Sequence, residues 1–493
     1  MRGALAALRR AGGSAGEARS ATGGRIASQA TLQLGVRLLN VALGVVATAV
    51  LARTLGTSDF GVWSTALAYV GVFAFLNDFG FPQVGIQRMA AEPEREGEWL
   101  GALAALRTLG ALGALVLCVA GIPFFLDPEG DVRVLALIFS VTVFAAAPQA
   151  FLAVFTSRLR TGITMLMLSL QGVAWTGTAV AIAATGGGVL EFAWGFVAVA
   201  VVVGAVQIAV TRHLATIALR AGRALWKPLF RVALPLGLAG VMVTVYYRID
   251  AVLVFNISGA EEAGYYGAAY RVMDPLHVLP TAVMTSIFPV VAALHGIDRA
   301  RVGRLVQSGL DFLVIVSLPI FVGSIAVAEP LMATIFGDGF ERAADVLPIL
   351  LFAFMWVALG YLSGYLIPVV HLQWWFAGLA LAGVVVNIGL NLVLIPPHGA
   401  VGAAIATVFT EMLIAVAGTA LVLRRLRARL SYGRSARAVL AAAVMGVAAF
   451  FAVKAGLLVA LLVAPPVYLA GLVAFRVVTP AELRSRMRRE EAP

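Results

Sequence analysis

Residues 248–274 read RIDAVLVFNISGAEEAGYYGAAYRVMD. One apolar run ends at Ser258, a glycine and two acids follow, and a second run begins at Gly264. Arg248 and Asp250 lie inside the first run, Arg271 and Asp274 inside the second. This is the pattern of two membrane helices joined by a tight turn, with ionisable groups held partway down each arm. The design occurs once before. Ala49-Val50-Leu51 leads to Gly56, Asp59, Gly61 and Trp63, just as Ala251-Val252-Leu253 leads to Gly259, Glu262, Gly264 and Tyr266. The offset is 202 residues for the triplet and 203 for the rest. Chance recurrence of a glycine–acid–glycine turn is the alternative to duplication, but an even set of intervening spans favours duplication. Parallel repeats are related by an axis along the membrane normal, and their interface is the usual place for a transported substrate.

The rest of the chain agrees with a membrane reading. Of 493 residues, 61% are apolar and 12% charged, with a mean hydropathy of +0.96. A soluble domain is ~45–50% apolar and ~25% charged, which excludes a cytosolic enzyme, a secreted module and a nucleic-acid-binding domain. Runs long enough to cross a ~30 Å hydrocarbon core recur throughout. They give about fourteen spans, near 31–52, 60–80, 101–125, 134–156, 163–185, 190–211, 230–254, 264–291, 305–328, 346–370, 373–396, 399–423, 437–454 and 456–477. The last two, turning at Lys454-Ala455-Gly456, are either two short spans or one re-entrant unit. Cys118 stands alone in an apolar run, so it is a small core residue rather than half of a disulfide.

The expected fold is all-α and polytopic, with two parallel six-helix lobes around a central cavity and an appended helix pair. In segments, 1–30 is a cytoplasmic tail, 31–211 the N-terminal lobe and 212–229 a basic linker. The C-terminal lobe is 230–423, followed by a basic loop 424–436, the closing pair 437–477 and a tail 478–493. The first residues are Arg- and Ala-rich without a signal-peptide core, and a transit peptide is the lesser reading. The net charge of +11 reports topology rather than a polyanionic partner. With both termini cytoplasmic, 28 Lys and Arg fall on inner segments and four on outer ones. The longest outer stretch, about 329–345, leaves no room for a catalytic domain.

Four arginines lie within spans: Arg37, Arg107, Arg248 and Arg271. Each costs roughly 2.5–3.5 kcal/mol at mid-bilayer, so it should face the bundle interior. Arg248 and Arg271 sit at matching depth, about 10 Å below the outer surface. Either they form salt bridges, Arg271 with Asp274 or Asp250, or they line a cavity that grips an anion, since guanidinium forks match phosphate oxygens. Snorkelling to the inner surface accounts for Arg107, and Arg37 is either a second snorkelling residue or an inner cationic tier. Asp78 and Asp311 read as cavity-mouth charges. Asn387 and Asn391, then Thr407 and Glu411, share i, i+4 spacing on spans 11 and 12. They serve interhelical hydrogen bonding or, with Asp250, a coupling-ion site. Pro275, Pro280 and Pro289 predict a bent span 8. No nucleotide-binding loop or metal-ligand array is present, so gradients of ions or substrate, rather than ATP, would supply the drive.

Several ordered stretches resemble one family. Residues 52–61, ARTLGTSDFG, are similar to the turn after the first helix in polysaccharide flippases of the Wzx type, within the MATE-like MOP superfamily. Arg248-Ile249-Asp250 with residues 263–271, AGYYGAAYR, is similar to their helix 7–8 segment. Asn387 through Asn391, Ile395-Pro396 and Gly399 through Thr407 resemble their helix 11–12 signature. The resemblance spans about residues 30–477. It implies a non-enzymatic flippase of the bacterial inner membrane that moves polyprenyl-diphosphate-linked oligosaccharide for cell-surface polysaccharide such as O-antigen. Arg248 and Arg271, and less directly Arg37, would hold the diphosphate. Asp250, Asn387, Asn391 and Thr407 correspond to a cation site of related flippases, with Na+ or H+ as the coupling ion. An acid expected on helix 11 appears as Asn391, which weakens that correspondence. The expected partners are the lipid-linked glycan, the bilayer and a polysaccharide polymerase, with a monomeric chain and no other cofactor. The rivals are a peptidoglycan-precursor flippase, a multidrug cation exporter, which would want an acidic cavity, and a membrane glycan polymerase, which would need a large outer loop.

Overall fold

A computed structural model describes the backbone of residues 2–126, 131–158, 161–218, 221–428 and 430–478, and within these the side chains from residue 35 onward except those of 161, 221, 222, 235, 236 and 239. The tail arginines of 1–30, Arg160, Arg220, Arg429 and residues 479–493 lie outside the described side chains. Twelve stretches among the described residues are long and apolar enough to cross a membrane. Two of them, 57 and 54 residues long, fold back at Gly56 and Gly399, which makes fourteen crossings.

We number these α1 to α14. Helix Arg2–Asp78 is divided at Gly56 into α1 and α2. Then follow α3 (Glu96–Phe125), α4 (Val132–Ala145, prolonged to Ser157), α5 (Thr161–Ala184) and α6 (Val189–Leu214). The second half has α7 (Trp226–Ser258), α8 (Ala260–Met273, prolonged to Leu294), α9 (Arg299–Phe336) and α10 (Ala343–Leu366). Helix Gln373–Leu426 is divided at Gly399 into α11 and α12. Finally α13 (Gly433–Ala452) and α14 (Leu457–Ala474) are two separate helices rather than one re-entrant unit. They lean on α9, where the Tyr468 hydroxyl donates to Ile315 O at 2.8 Å.

The duplicated turns adopt one geometry. Gly56 has φ 73° and ψ −178°, and Gly259 has φ 90° and ψ 178°. Only glycine takes this conformation without strain. The second pair of repeated glycines meets across the molecule. A Cβ on Gly61 would lie 1.8 Å from Ala260 O, and one on Gly264 would lie 2.2 Å from Thr57 O. Each half thus presents a bare backbone to the other, reciprocally, as a two-fold contact requires. The sequence repeat is therefore a structural one, and its glycines form the seam between α2 and α8.

Two further bonds cross the lobes at this glycine-turn end. Arg53, in the last turn of α1, donates to Thr334 O at 2.5 Å and Ile335 O at 3.2 Å, among the last carbonyls of α9. Asn256 of α7 donates to Phe125 O of α3 at 2.7 Å. Apolar packing follows the same division. One buried cluster runs through both lobes here, from Phe60 and Trp63 to Tyr266 and Phe340. At the opposite, arginine-rich end the core separates into one cluster around Leu100 and Phe155 and another around Leu310 and Leu362. The lobes are joined at the glycine end and part towards the other. The exception is α7, which rests on α2 along much of its length: Phe79 stacks on Phe230 with centroids 5.9 Å apart, and the rings of Phe79 and Phe75 lie against Gly237 and Gly240.

Two expectations about charge are corrected. Arg107 does not snorkel. It is 6% exposed, and its Nη2 lies 3.9 Å from Asp78 Oδ1, so burial is offset by a facing carboxylate. Asp78 is accordingly an ion-pair partner rather than a cavity-mouth charge. Asp311 likewise pairs with Arg434 at 3.7 Å and accepts from Gln307 at 2.8 Å.

The seam makes a clear prediction. Gly264→Ala should cost at least ~1–3 kcal/mol, because overpacking against backbone cannot be relieved by rotating a side chain. Gly177→Ala, where an added Cβ meets nothing within 4 Å, should not lower stability. Thermal melting of the two purified variants in detergent checks this, and equal melting points would contradict the seam.

Candidate functional site

Where the lobes part, four adjoining cavities lie between and beside them. One of about 270 Å³ is lined by Gly71, Gln149, Gln171 and Gln207 of the first half and by Arg248 and Arg271 of the second. A second, about 420 Å³, runs between α1 and α8 and shares Arg271, with Asn40, Thr48 and Asp274 on its walls. A third, about 480 Å³, carries Arg37 and shares Asn40 and Gln171 with the others. The fourth, about 670 Å³, shares Arg248 and Asp274 and extends into the C-terminal lobe. Arg37, Arg248 and Arg271 thus line cavities that adjoin one another through shared walls.

None of the three makes a hydrogen bond or an ion pair with the protein among the described residues. Asp274 acts on Arg271 only through space, and Asp250 faces away from both arginines. The salt-bridge reading of Arg248 and Arg271 therefore does not hold. Arg248 instead packs on α2, its Nε 3.5 Å from where a Gly71 Cβ would stand. Gln207 Oε1, on the same wall, is also buried without a protein partner.

Behind this space Asp250 is 1% exposed and held by three donors from three helices. Asn391 Nδ2 of α11 donates to its Oδ1 at 2.7 Å. Thr407 Oγ1 of α12 and Tyr266 OH of α8 donate to its Oδ2 at 2.9 and 3.0 Å. Asn391 Nδ2 also donates to Asn387 O at 2.9 Å, one turn back on α11. Asn387 Oδ1 and Asn391 Oδ1 are buried with no hydrogen-bond partner. Four side chains expected to act together do converge: Asp250, Asn387, Asn391 and Thr407. Carboxylate, amide carbonyl and hydroxyl oxygens are the donor set of a hard cation. Glu411 does not join them; it faces the fourth cavity beside Tyr246 and Tyr247.

Tyr266 was not anticipated as a site residue. A signal was present in the repeat, since Tyr266 stands where the first half has Trp63. Trp63 packs among Phe139, Trp175 and Phe196, with centroids 4.8, 5.7 and 5.8 Å away. Its counterpart carries a hydroxyl, and that hydroxyl meets Asp250. The bend in α8 also falls at the cavity. A 3-10 segment, Asp274–His277, interrupts the helix at Pro275, where a proline removes one backbone hydrogen bond.

A two-lobed helical bundle whose adjoining central cavities carry unpaired arginines defines a membrane transporter class. The family can be stated as well: residues 50–345 match the model described as "Polysaccharide biosynthesis protein", and the chain belongs to that family. It is 24% identical over 369 residues to the probable low-salt glycan biosynthesis flippase Agl15 of Haloferax volcanii, covering 72% of this chain and 75% of that one. Over 165 residues, 33% of this chain and 38% of the relative, it is 25% identical to a putative O-antigen transporter of Shigella flexneri. Its fold is shared with the lipid II flippase MurJ in an inward closed conformation, at a TM-score of 0.72 and 15% identity, covering 90% and 98% of the two chains. An inward-facing multidrug resistance MATE transporter of the MOP superfamily also matches, at 0.63 and 17%, covering 81% and 98%.

The Asp250 cluster predicts a coupling between residues. Tyr266→Phe alone should cost about 1–3 kcal/mol, the price of leaving a buried acceptor one donor short. In an Asp250→Asn background the same change should cost much less. A double-mutant cycle on melting in detergent measures the difference, and additive effects would mean that the bond contributes nothing.

Proposed function

We propose that this protein is a flippase for polyprenyl-diphosphate-linked oligosaccharide, working by alternating access in the cytoplasmic membrane. The observation that carries this reading is the trio Arg37, Arg248 and Arg271, which line the adjoining interlobe cavities without a protein partner among the described residues. Unpaired cations at membrane depth are costly and are retained where an anionic ligand repays them. A diphosphate offers several oxygens, and guanidinium groups can grip them in pairs. Family membership and the flippases among its relatives point the same way.

On this reading the arginine-rich end is cytoplasmic and both termini lie there. The head group enters where the lobes part, Arg37 meets the diphosphate first, and Arg248 and Arg271 take it deeper. The polyprenyl chain stays in lipid. Rupture of the glycine seam and closure at the opposite end then expose the head group to the other side. Asp250, Asn387, Asn391 and Thr407 bind the coupling ion, Na+ or H+. Because those residues lie on α7, α11 and α12, occupancy biases how these helices pack. The protein acts as a monomer and passes its cargo to a polysaccharide polymerase.

A peptidoglycan precursor carries the same diphosphate, so the arginines serve it equally and only the sugar wall distinguishes the two. Cationic drugs would be repelled by this cavity. The test is flipping of a fluorescent polyprenyl-diphosphate oligosaccharide in liposomes. Wild type should translocate it, and the Arg248→Ala, Arg271→Ala double variant should lose at least ~100-fold, two charge-assisted contacts being worth ~3 kcal/mol or more. Undiminished flipping by a folded double variant would refute the cationic grip. Asp250→Asn should abolish any dependence of the rate on an imposed Na+ or proton gradient while leaving downhill exchange; persistence of that dependence would place the ion elsewhere.

A further inference from the structure

The cavity of about 670 Å³ lies within the C-terminal lobe, walled by α7, α8, α10, α11 and α12. Its volume falls in the ~300–1,000 Å³ range of small-ligand sites. Its lining differs from that of the arginine space. Tyr361 and Tyr365, one turn apart on α10, are stacked with centroids 6.3 Å apart and planes 23° apart. His277 stands beside Tyr361, with its Nδ1 3.3 Å from the tyrosine hydroxyl, and Tyr247 packs on its ring at 5.9 Å. Gly360 and Gly364 each immediately precede one of the stacked tyrosines, and an added Cβ on either would meet nothing within 4 Å. The aromatic wall therefore has open space beside it.

Two polar atoms in this lining lack a protein partner. Tyr270 OH and Glu411 Oε1 are both buried and unbonded, on residues 8% and 3% exposed. A carboxylate oxygen accepts only, whereas a phenol can donate. An unpaired buried group costs ~1–3 kcal/mol, so the pair suits a ligand that brings its own donor and acceptor. A hydroxyl does both. Flat apolar C–H faces for the stacked tyrosines, hydroxyls at the rim for Tyr270 and Glu411, and a phosphate within reach of Arg248 together describe a glycosyl phosphate.

We infer that this tyrosine-walled cavity is a sugar subsite, which seats a pyranose of the glycan while Arg248, shared with the adjoining arginine space, holds the phosphate. The inference rests on the flippase reading and gives it a source of head-group selectivity separate from the charge grip. The sugar face packs on Tyr361 and Tyr365, and a hydroxyl donates to Glu411 Oε1 and accepts from Tyr270 OH. No bond is made or broken. The same wall would reject a bare diphosphate only by failing to reward it.

The experiment measures equilibrium binding to the full-length protein in nanodiscs. The probes are polyprenyl diphosphate itself and polyprenyl diphosphates bearing one glucose, galactose or N-acetylglucosamine. Wild type should bind at least one glycosylated probe about tenfold more tightly than the bare one, the scale of a single good aromatic contact. Tyr361→Leu should bring that ratio towards one, and Tyr361→Phe should preserve it. Tyr270→Phe removes a hydroxyl that the protein itself does not use, so its melting point should be unchanged while the ratio falls roughly fivefold. An unaltered ratio in both Tyr361→Leu and Tyr270→Phe, with bare diphosphate still bound, would overturn the subsite and leave the flippase reading standing. Failure of wild type to bind any of the probes would overturn both.

Discussion

The arrangement depends on one steric constraint: two backbones can touch only where neither carries a side chain. Gly61 and Gly264 provide that on opposite lobes, each against a carbonyl of the other. This contact holds the turns of the two halves together and sets the pseudo-symmetry axis. It also lets the lobes part at the far end, since helices pinned at one end can splay at the other. The split of the core into separate clusters at the arginine-rich end follows from the pinning.

The two halves then diverge in chemistry while keeping the same frame. In the first, Trp63 belongs to a stack of aromatic rings and the surrounding helices pack as an apolar core. In the second, the matching Tyr266 reaches a buried carboxylate, and α11 and α12 add polar side chains around it. One lobe is a packed wall, and the other holds the polar cluster and the tyrosine cavity. Arg248 and Asp250, two residues apart on α7, face opposite ways because a helix turns about 200° in two residues. One helix therefore serves both the central space and the cluster behind it.

Much of this was legible in the sequence, for physical reasons. Hydropathy gave the spans because a bilayer demands about twenty apolar residues per helix, and the glycine–acid–glycine turns exposed the duplication. The convergence of Asp250 with Asn391 and Thr407 followed from polar residues that have no business facing lipid. What was not legible depended on helix rotation and long-range pairing. Arg107 read as a snorkelling residue because its partner, Asp78, lies on another helix and nothing local announces it. Tyr361 and Tyr365 carry no local signal that sets them apart, because the face they share borders a cavity only in the folded lobe. Glu411 had the spacing of a cluster member but the neighbours of a different chamber.

Arg53 has a further consequence. Its guanidinium caps the carbonyl end of a helix that belongs to the opposite lobe. The guanidinium is a donor only and the carbonyls are acceptors only. The clasp therefore contains no carboxylate for which a proton or a divalent ion could compete. Acidity on the glycine side cannot loosen the lobes through it. Any proton-dependent change in their separation has to work through groups other than this clasp.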